Sequence, residues 1–366
     1  MRNKQRVAGI AGVAALSLSV AACGGASEGS GDTATARLSS YLPQDTGFNK
    51  AVDAWADQTE ECADGDIEFE RFYNGALFGA TETRDALGNG RIEVGSFSVG
   101  YHPGEFPLTQ GLFDVPFLSS NIRAVMEAQD TIYEDRPEAQ AEWNDQGMEL
   151  LKVLPVTSPP VGTNATFESL EDLRGLDMRG YPPGGVNAAI EAAGAQPVDL
   201  DLAELPEAMQ RGVVDGYAGV SVDTVTALSL QESTQYLTEA GFGSTSAIQL
   251  AVNKEWWDGL SDEVRDCASD AADDLQELYV SAVKDAEAEA CAALNDAGVE
   301  LSVLPESETE KLRSAIFDEQ RAAWVESAEG AVDDPEAYLS DYTDALGETE
   351  EEHAGESFGV PGCLAE

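Results

Sequence analysis

Apolar positions along the chain follow two periods in turn. Short segments alternate apolar and polar residues, as strands do, and longer segments space apolar residues three or four positions apart, as helices do. Phe48, Val52 and Trp55 have the helical spacing and follow Thr46, a residue type that favours helix N-termini. The alternation of the two periods indicates an α/β fold. The first part of the chain predicts strands at 36–41, 67–73, 92–99 and 148–154 and helices at 45–61 and 81–89.

Pro155, Pro159 and Pro160 interrupt this rhythm and indicate a hinge or crossover. The rhythm then restarts, and a late strand is able to rejoin the first sheet. We therefore predict two lobes, each a mostly parallel sheet flanked by helices, with the chain crossing between them more than once. The elements predicted after the prolines are strands at 176–179, 196–200 and 247–252, a strand or turn at 213–219, and helices at 185–193 and 203–211.

The predicted boundaries follow from these crossings. Lobe I comprises residues 37–155 plus 246–284, and lobe II comprises residues 156–245 plus 285–346. Residues 347–366 form an acidic, glycine-containing tail. We expect this tail to be poorly ordered apart from an anchor at Cys363.

One predicted helix is much longer than the others. Ser261 suits its N-cap, the next two residues are acidic, and no proline or glycine occurs before Gly298. A helix over 261–297 would be about 55 Å long and would span both lobes.

The N-terminus has the features of a bacterial secretion signal. Basic residues at 2, 4 and 6 precede a short apolar stretch at 7–20, and small residues then lead to Cys23. This order resembles a lipobox, in which the chain is cleaved before the cysteine and lipid is attached to its sulfur. We predict a lipoprotein signal peptide at 1–22, a flexible tether at 23–36 and a protein held at the outer face of the cell membrane. An ordinary cleavage site with an incidental cysteine is the alternative.

The other four cysteines indicate two disulfides in an oxidising compartment. Cys267 and Cys291 would be about 36 Å apart on the long helix. Disulfide Cα atoms lie within about 7 Å of each other, which excludes this pair. Two connectivities remain, and we favour Cys62–Cys267 with Cys291–Cys363.

The net charge of the chain limits which molecules it can bind. The chain has 69 acidic and 20 basic residues and a formal net charge of −49. Such a chain repels phosphates, which excludes nucleic acid as a partner. The acidic residues are spread along the whole chain, which favours a surface adapted to high salt, where repulsion is screened within about 3 Å at ~1 M. We therefore expect the fold to lose stability at low ionic strength.

Residues with catalytic potential are few. The two histidines, His102 and His353, have no metal-binding spacing. The sequence contains no His-Glu-x-x-His motif, no Gly-x-Ser-x-Gly motif and no phosphate-binding glycine motif. We predict that the protein is not an enzyme and has no cofactor and no bound metal.

Several short motifs lie in a fixed order along the chain, at 72–79, 90–95, 106–108, 115–118 and 173–216. Together they resemble the solute-binding subunits of tripartite ATP-independent periplasmic (TRAP) transporters. The resemblance implies a periplasmic-binding-protein-like fold and a monomeric receptor that delivers a small organic acid to a TRAP membrane permease. The receptor of an ATP-driven importer is an alternative function, and a secreted hydrolase is another.

In that family, the arginine at the position of Arg179 forms a bidentate salt bridge with the ligand carboxylate. The planar guanidinium matches the two carboxylate oxygens, and the pair strengthens when a closing cleft expels water. The alternative is that Arg179 only neutralises Asp177, because strand alternation puts both residues on one side.

Two positions depart from the family pattern. Many acid-binding members have a second arginine where this chain has Pro159, and an asparagine where it has Gly219. Both departures favour a monocarboxylate, or a bulkier and partly apolar acid, over a dicarboxylate held at both ends. For each candidate tyrosine, core packing is the alternative. The remaining candidate ligand contacts are Ser98, Tyr41, Tyr101, Tyr181 and Tyr217.

Overall fold

The structure, a computed structural model, describes residues 33–102, 104–180 and 184–365. The predicted signal peptide, most of the tether with Cys23, and Tyr181 lie outside the described residues. Within them, no helix combines the length and the hydropathy that crossing a bilayer requires.

Strands and helices alternate through most of the chain, as the apolar periods predict. The strands are Ala34–Ser40 (β1), Ile67–Phe72 (β2), Val94–Phe97 (β3), Met148–Pro155 (β4), Val161–Thr163 (β5), Asp177–Arg179 (β6), Gln196–Val198 (β7), Gly216–Tyr217 (β8), Tyr236–Glu239 (β9), Ala247–Asn253 (β10) and Glu300–Val303 (β11). The α-helices are Gly47–Cys62 (α1), Thr83–Gly88 (α2), Thr109–Asp114 (α3), Ile122–Asp135 (α4), Pro137–Asn144 (α5), Gly185–Ala192 (α6), Leu205–Arg211 (α7), Val222–Ala227 (α8), Lys254–Gly259 (α9), Asp262–Ala297 (α10), Glu306–Ala328 (α11), Pro335–Glu352 (α12) and Gly359–Ala365 (α13).

The strands form two sheets. The first has the order β2-β1-β3-β10-β4, and the second has the order β11-β9-β5-β8-β6-β7. In each sheet one strand is antiparallel to its neighbours, β10 in the first and β5 in the second. The chain enters each of these two strands from the other sheet through a short connection, so no helical return within the same sheet sets their direction. The predicted two-lobe α/β fold is confirmed, with this one exception in each sheet.

Three segments connect the sheets. Residues 156–160 lead from β4 to β5, residues 240–246 lead from β9 to β10, and α10 carries the chain back toward β11. The long helix begins after Ser261, whose hydroxyl accepts from the Val264 amide, and ends at Gly298 with a left-handed φ of 75°. Its 36 residues make it about 54 Å long. The prediction from caps and missing helix breakers is confirmed.

Two disulfides anchor both ends of the long helix. Cys62, at the end of α1, is joined to Cys267 with a Cα–Cα distance of 5.7 Å. Cys291 is joined to Cys363 of α13 with a Cα–Cα distance of 5.4 Å. These are the two pairs that the sequence favours.

The first sheet is buried on both faces. Leu250 of β10 belongs to the apolar cluster shared with α1 and α10, and the next residue, Ala251, belongs to the cluster on the opposite face. That second cluster includes Tyr338 and Leu346 of α12. The prediction that residues 285–346 lie wholly in lobe II is therefore wrong, because the apolar face of α12 packs against the first sheet's layer.

The prediction of a poorly ordered tail is also wrong for the described residues. Residues up to Glu352 continue α12, and α13 follows after a short loop. Phe358 and Val360 are buried, and the Glu356 carboxylate accepts from Lys284 Nζ at 2.9 Å. Apolar side chains and paired charges within the acidic segment offset its repulsion, and the anchor at Cys363 adds to this.

Candidate functional site

A cavity with about 630 Å³ of empty space lies between the two sheets. The first sheet's layer contributes the β1–α1 connection, the end of β3 and one face of α10, while the second contributes the ends of β6 and β8 and the start of α8. Mostly apolar pockets between two lobes, with a few polar groups in their lining, are typical small-molecule sites. Its apolar walls include Leu42, Phe48, Val156, Val220, Ile248 and Tyr279.

Arg179 is the last residue of β6, which pairs with β7 on one side and β8 on the other. Only 1% of its surface is exposed. Its guanidinium donates through Nε to the Leu200 carbonyl at 3.2 Å and through Nη1 to the Ala218 carbonyl at 3.5 Å. Nη2 donates to the Tyr101 hydroxyl at 3.3 Å, so the side chain also contacts the first sheet's layer.

All three of these acceptors are neutral. Among residues 33–102, 104–180 and 184–365, Arg179 forms no salt bridge, and Asp177 is exposed to solvent. The alternative that Arg179 serves to neutralise Asp177 therefore has no support in this arrangement. A buried charge without a counter-ion is costly, so the cavity carries a positive group suited to an anion.

Two tyrosines line the cavity, and one of them, Tyr101, contacts this guanidinium. Tyr101, in a 3₁₀ turn after β3, is half-buried. Burial raises the pKa of its hydroxyl despite the nearby Arg179 charge, so the phenol stays protonated at neutral pH. The Tyr41 ring meets the Tyr101 ring edge-on, with centroids 5.9 Å apart. Both rings line the cavity and offer it aromatic surface.

Ser98 and Gly219 complete the predicted residues that line the cavity. Ser98 is fully buried directly after β3. Gly219 follows β8 with a φ of 77°, a conformation that favours glycine and that asparagine tolerates better than most residues. The structure thus brings Arg179, Tyr41, Ser98, Tyr101 and Gly219 into one cavity.

Tyr217 is a correction to the predicted set. Its side chain is fully buried, lies over Gly162 and has its hydroxyl 3.1 Å from the Thr234 hydroxyl. It belongs to an apolar cluster with Leu294 of α10, away from the cavity lining. The missing side chain at Gly162 makes room for the ring, and this pairing between strands cannot be read from β8 alone.

Several lining residues were missed by sequence reasoning. Phe48 and Tyr279 have helical spacing and look like core residues, whereas both also line the cavity. Asp223 and Thr224, in the first turn of α8, line it too. Their position in the sequence could have indicated this role, because the turn comes shortly after Gly219.

The first crossover is held by two buried carboxyl groups. Thr157 donates to Glu287 of α10 at 2.9 Å, and the adjacent Ser158 donates to Glu239 at 2.7 Å. Burial raises the pKa of Glu287 to about 7 and also raises that of Glu239. Thr157 itself lines the cavity, so the Glu287 carboxyl, whose pKa is near neutral, supports the cavity wall.

Metal-ligand geometry occurs elsewhere in the described part of the chain. Glu127, Glu352 and His353 lie close enough to share an ion. However, the same Glu127 oxygen accepts from Gln276 at 2.6 Å and lies 3.0 Å from His353 Nε2. Hydrogen bonds thus account for this cluster, and none of its members lines the cavity.

Comparisons with known proteins agree with this geometry. The profile of the bacterial extracellular solute-binding proteins, family 7 (DctP), matches residues 38–326. The chain is 24% identical over 300 residues to the C4-dicarboxylate-binding periplasmic protein DctP of Rhodobacter capsulatus, covering 79% of this chain and 83% of that protein. It is 25% identical over 279 residues to the ectoine-binding periplasmic protein TeaA of Halomonas elongata, covering 75% and 76% of the two chains.

The fold is shared with solved structures. A TRAP solute-binding protein from Rhodoferax ferrireducens, in complex with copurified benzoate, superposes with a TM-score of 0.78 at 21% identity. The match covers 88% of this chain and all of that one. The fold and the cavity define an extracytoplasmic solute-binding protein. The chain belongs to the bacterial extracellular solute-binding proteins of family 7.

Proposed function

We propose that this protein captures a small organic acid in the cavity between its lobes and delivers it to a TRAP-type membrane permease. One observation carries the proposal: a buried guanidinium that lines the cavity between the lobes has only neutral acceptors among the described residues. A ligand carboxylate would supply the missing counter-charge and form charge-assisted hydrogen bonds. The family membership supports the same role.

The ligand's body is expected to be compact and partly apolar. Aromatic and aliphatic side chains form most of the cavity wall, and Arg179 is the one arginine or lysine among its described lining residues. Pro159 and Gly219, at the two positions where the family pattern has arginine and asparagine, add no charged or amide side chain. This favours a single carboxylate over two carboxylates held at opposite ends. The relatives named above bind a C4-dicarboxylate, ectoine and benzoate, so the family accommodates such variation.

Capture couples to closure in this proposal. Residues 156–160 and 240–246 connect the lobes and can absorb a hinge motion. Arg179 lies on the second sheet and its phenolic partner Tyr101 lies beside the first, so bringing the lobes together assembles the anion site and excludes water. Lipid on Cys23 would keep the receptor at the membrane, where a high local concentration makes weak docking on the permease productive.

A thermal-shift screen tests the proposal. The protein, in high-salt buffer, is mixed with compact carboxylates such as benzoate and succinate and with uncharged counterparts such as benzamide. At 100 times its dissociation constant, a ligand should add about 2.7 kcal/mol to the free energy of unfolding, and the neutral amide should add nothing. Equal shifts with acid and amide, or no shift with any carboxylate, would contradict an anion receptor. A larger shift with benzoate than with succinate would support the single-carboxylate class.

A further inference from the structure

The cavity carries a second charged side chain of opposite sign. Asp223 is in the first turn of α8 and lines the same cavity as Arg179. It is half-buried, and it forms no salt bridge with any cation of the described residues. The cavity wall therefore presents one positive and one negative side chain.

Hydrogen bonds fix the orientation of this carboxylate. Oδ1 accepts from the Ser221 hydroxyl at 2.5 Å and from the Thr224 amide at 2.8 Å. Oδ2 accepts from the amide of Gly47, the first residue of the 16-residue helix α1, at 3.0 Å. The N-terminal end of that helix carries a partial positive charge, which attracts the side chain of an aspartate. Each carboxylate oxygen can accept two hydrogen bonds, so Oδ2 retains capacity for a donor from a ligand.

The surroundings of Asp223 suit a cation. Phe48 and Tyr279 line the same cavity, with their ring centroids 6.5 Å apart and edge-on. Aromatic faces attract ammonium and related cations, most strongly where water is excluded. Burial, together with the Asp223 charge, raises the pKa of Tyr279 well above its usual value, so this ring stays neutral.

The net charge of the protein also favours a ligand that carries both a positive and a negative group. A formal charge of −49 repels a ligand that is a net anion, whereas it exerts no net repulsion on a zwitterion. A zwitterion also neutralises both cavity charges at once, leaving neither Arg179 nor Asp223 without a counter-charge.

We propose that Asp223 is a specificity-determining residue and that the ligand is a zwitterion, whose carboxylate binds Arg179 and whose cationic nitrogen faces Asp223. This inference rests on the proposed receptor function and narrows its ligand class.

Matched pairs of acids with and without a cationic nitrogen test it by calorimetry. The pairs are proline with cyclopentanecarboxylate, phenylalanine with 3-phenylpropionate, and 4-(aminomethyl)benzoate with 4-methylbenzoate. In at least one pair the zwitterion should bind at least ~10-fold more tightly than its partner. In Asp223→Asn, which keeps the side chain's shape and one acceptor oxygen, that zwitterion should lose at least ~10-fold in affinity while the plain acid binds unchanged or better.

Asp201→Asn is the matched control. Asp201 is exposed and lines a separate pocket that shares Tyr41 and Leu202 with the cavity. Its variant removes the same charge outside the cavity lining and should leave the preference intact. The melting temperature of each unliganded variant verifies that it folds. Plain acids that bind as tightly as their zwitterionic partners in every pair would overturn the inference and leave the receptor function standing. Failure of both members of every pair to bind would contradict both proposals.

Discussion

Two arginines of this protein are almost fully buried, but their hydrogen-bond acceptors differ in charge. Arg179 is 1% exposed and donates to two carbonyls and a phenol, whereas Arg123 is 8% exposed and donates to two carboxylates. Arg123 Nη2 reaches Glu277 at 3.2 Å, and its Nε reaches Glu356 at 3.2 Å. One guanidinium has its counter-charges built in, and the other has none among the described residues.

The difference separates a structural charge from a functional one. The partners of Arg123 come from α10 and from the segment before α13, so the pair ties three distant parts of the chain together. Burial opposes ionisation of Glu356, but hydrogen bonds from Lys284 and Arg123 lower its pKa. Arg179 instead faces a cavity, so its counter-charge has to come from a bound anion. Burial alone therefore does not identify a binding residue, and the absence of a local counter-charge does.

The largest expected effect is on affinity at Arg179. In Arg179→Gln, a bound carboxylate loses its counter-charge, and binding should weaken by about 3–5 kcal/mol, by analogy with breaking a buried ion pair. The unliganded variant should be no less stable than the native protein, since an unpaired buried charge is removed. Calorimetry with the tightest carboxylate measures the first effect, and thermal unfolding measures the second. Arg174→Gln, an exposed arginine at a nearby turn, is the control, and native-like affinity in Arg179→Gln would break the comparison.

The second-largest expected effect is on the pH dependence of stability, through the buried carboxyl group of Glu287. Burial raises the folded-state pKa of Glu287 from 4.5 to about 7, so between these values the unfolded chain loses a proton that the folded chain keeps. Its contribution should lower the free energy of unfolding by about 2–3 kcal/mol as pH rises from 4.5 to 7. The groups around Glu287 are Thr157, Gly359, Asp223 and Glu239.

Glu287→Gln should remove that pH-dependent decline, because glutamine does not ionise. Glu289→Gln, an exposed residue on the same helix, should leave the decline unchanged. Chemical denaturation at a series of pH values measures both. Parallel curves for native protein and Glu287→Gln would refute a protonated carboxyl at the crossover.

A smaller effect is expected at the structural arginine. Arg123→Gln should lower the free energy of unfolding by about 2 kcal/mol, mostly through Glu356, because Glu277 is largely exposed and its pairing is screened by solvent. Ligand affinity should stay within about 2-fold of native, since Arg123 does not line the cavity. Denaturant unfolding and calorimetry on the same sample give the two values. A loss of affinity without a loss of stability would reverse the roles assigned to the two arginines.

The smallest effect concerns the phenol beside Arg179. Tyr101→Phe removes the hydroxyl that accepts from Nη2 and keeps the ring against Tyr41. Affinity for a carboxylate should fall by about 1 kcal/mol, because Arg179 loses a partner that orients it, and the free energy of unfolding should fall by no more than the same amount, which is typical of one hydrogen bond. Tyr41→Phe, which keeps the edge-on ring contact, provides the comparison by calorimetry. A Tyr101→Phe loss as large as that of Arg179→Gln would mean that the phenol, not the guanidinium, holds the ligand.

Features set by neighbouring residues could be predicted from the sequence. The long helix follows from the Ser261 cap and the lack of breakers before Gly298, and its length excludes a disulfide between Cys267 and Cys291. Arg179 was found because it ends a short predicted strand within a motif that resembles a known family. Periodicity, capping and chain reach act over a few residues or a known length, so the linear sequence is enough to read them.

Features set by distant partners were decided only by the tertiary structure. Tyr217 entered the core because Gly162, on another strand, leaves space for its ring. The acidic tail folded because Glu356 meets Lys284 and Phe358 is buried. Asp223 entered the cavity because the start of α8 meets the start of α1, 176 residues earlier in the chain. Where a side chain packs depends on which surfaces come together across such sequence separations. Local residue patterns do not specify those contacts.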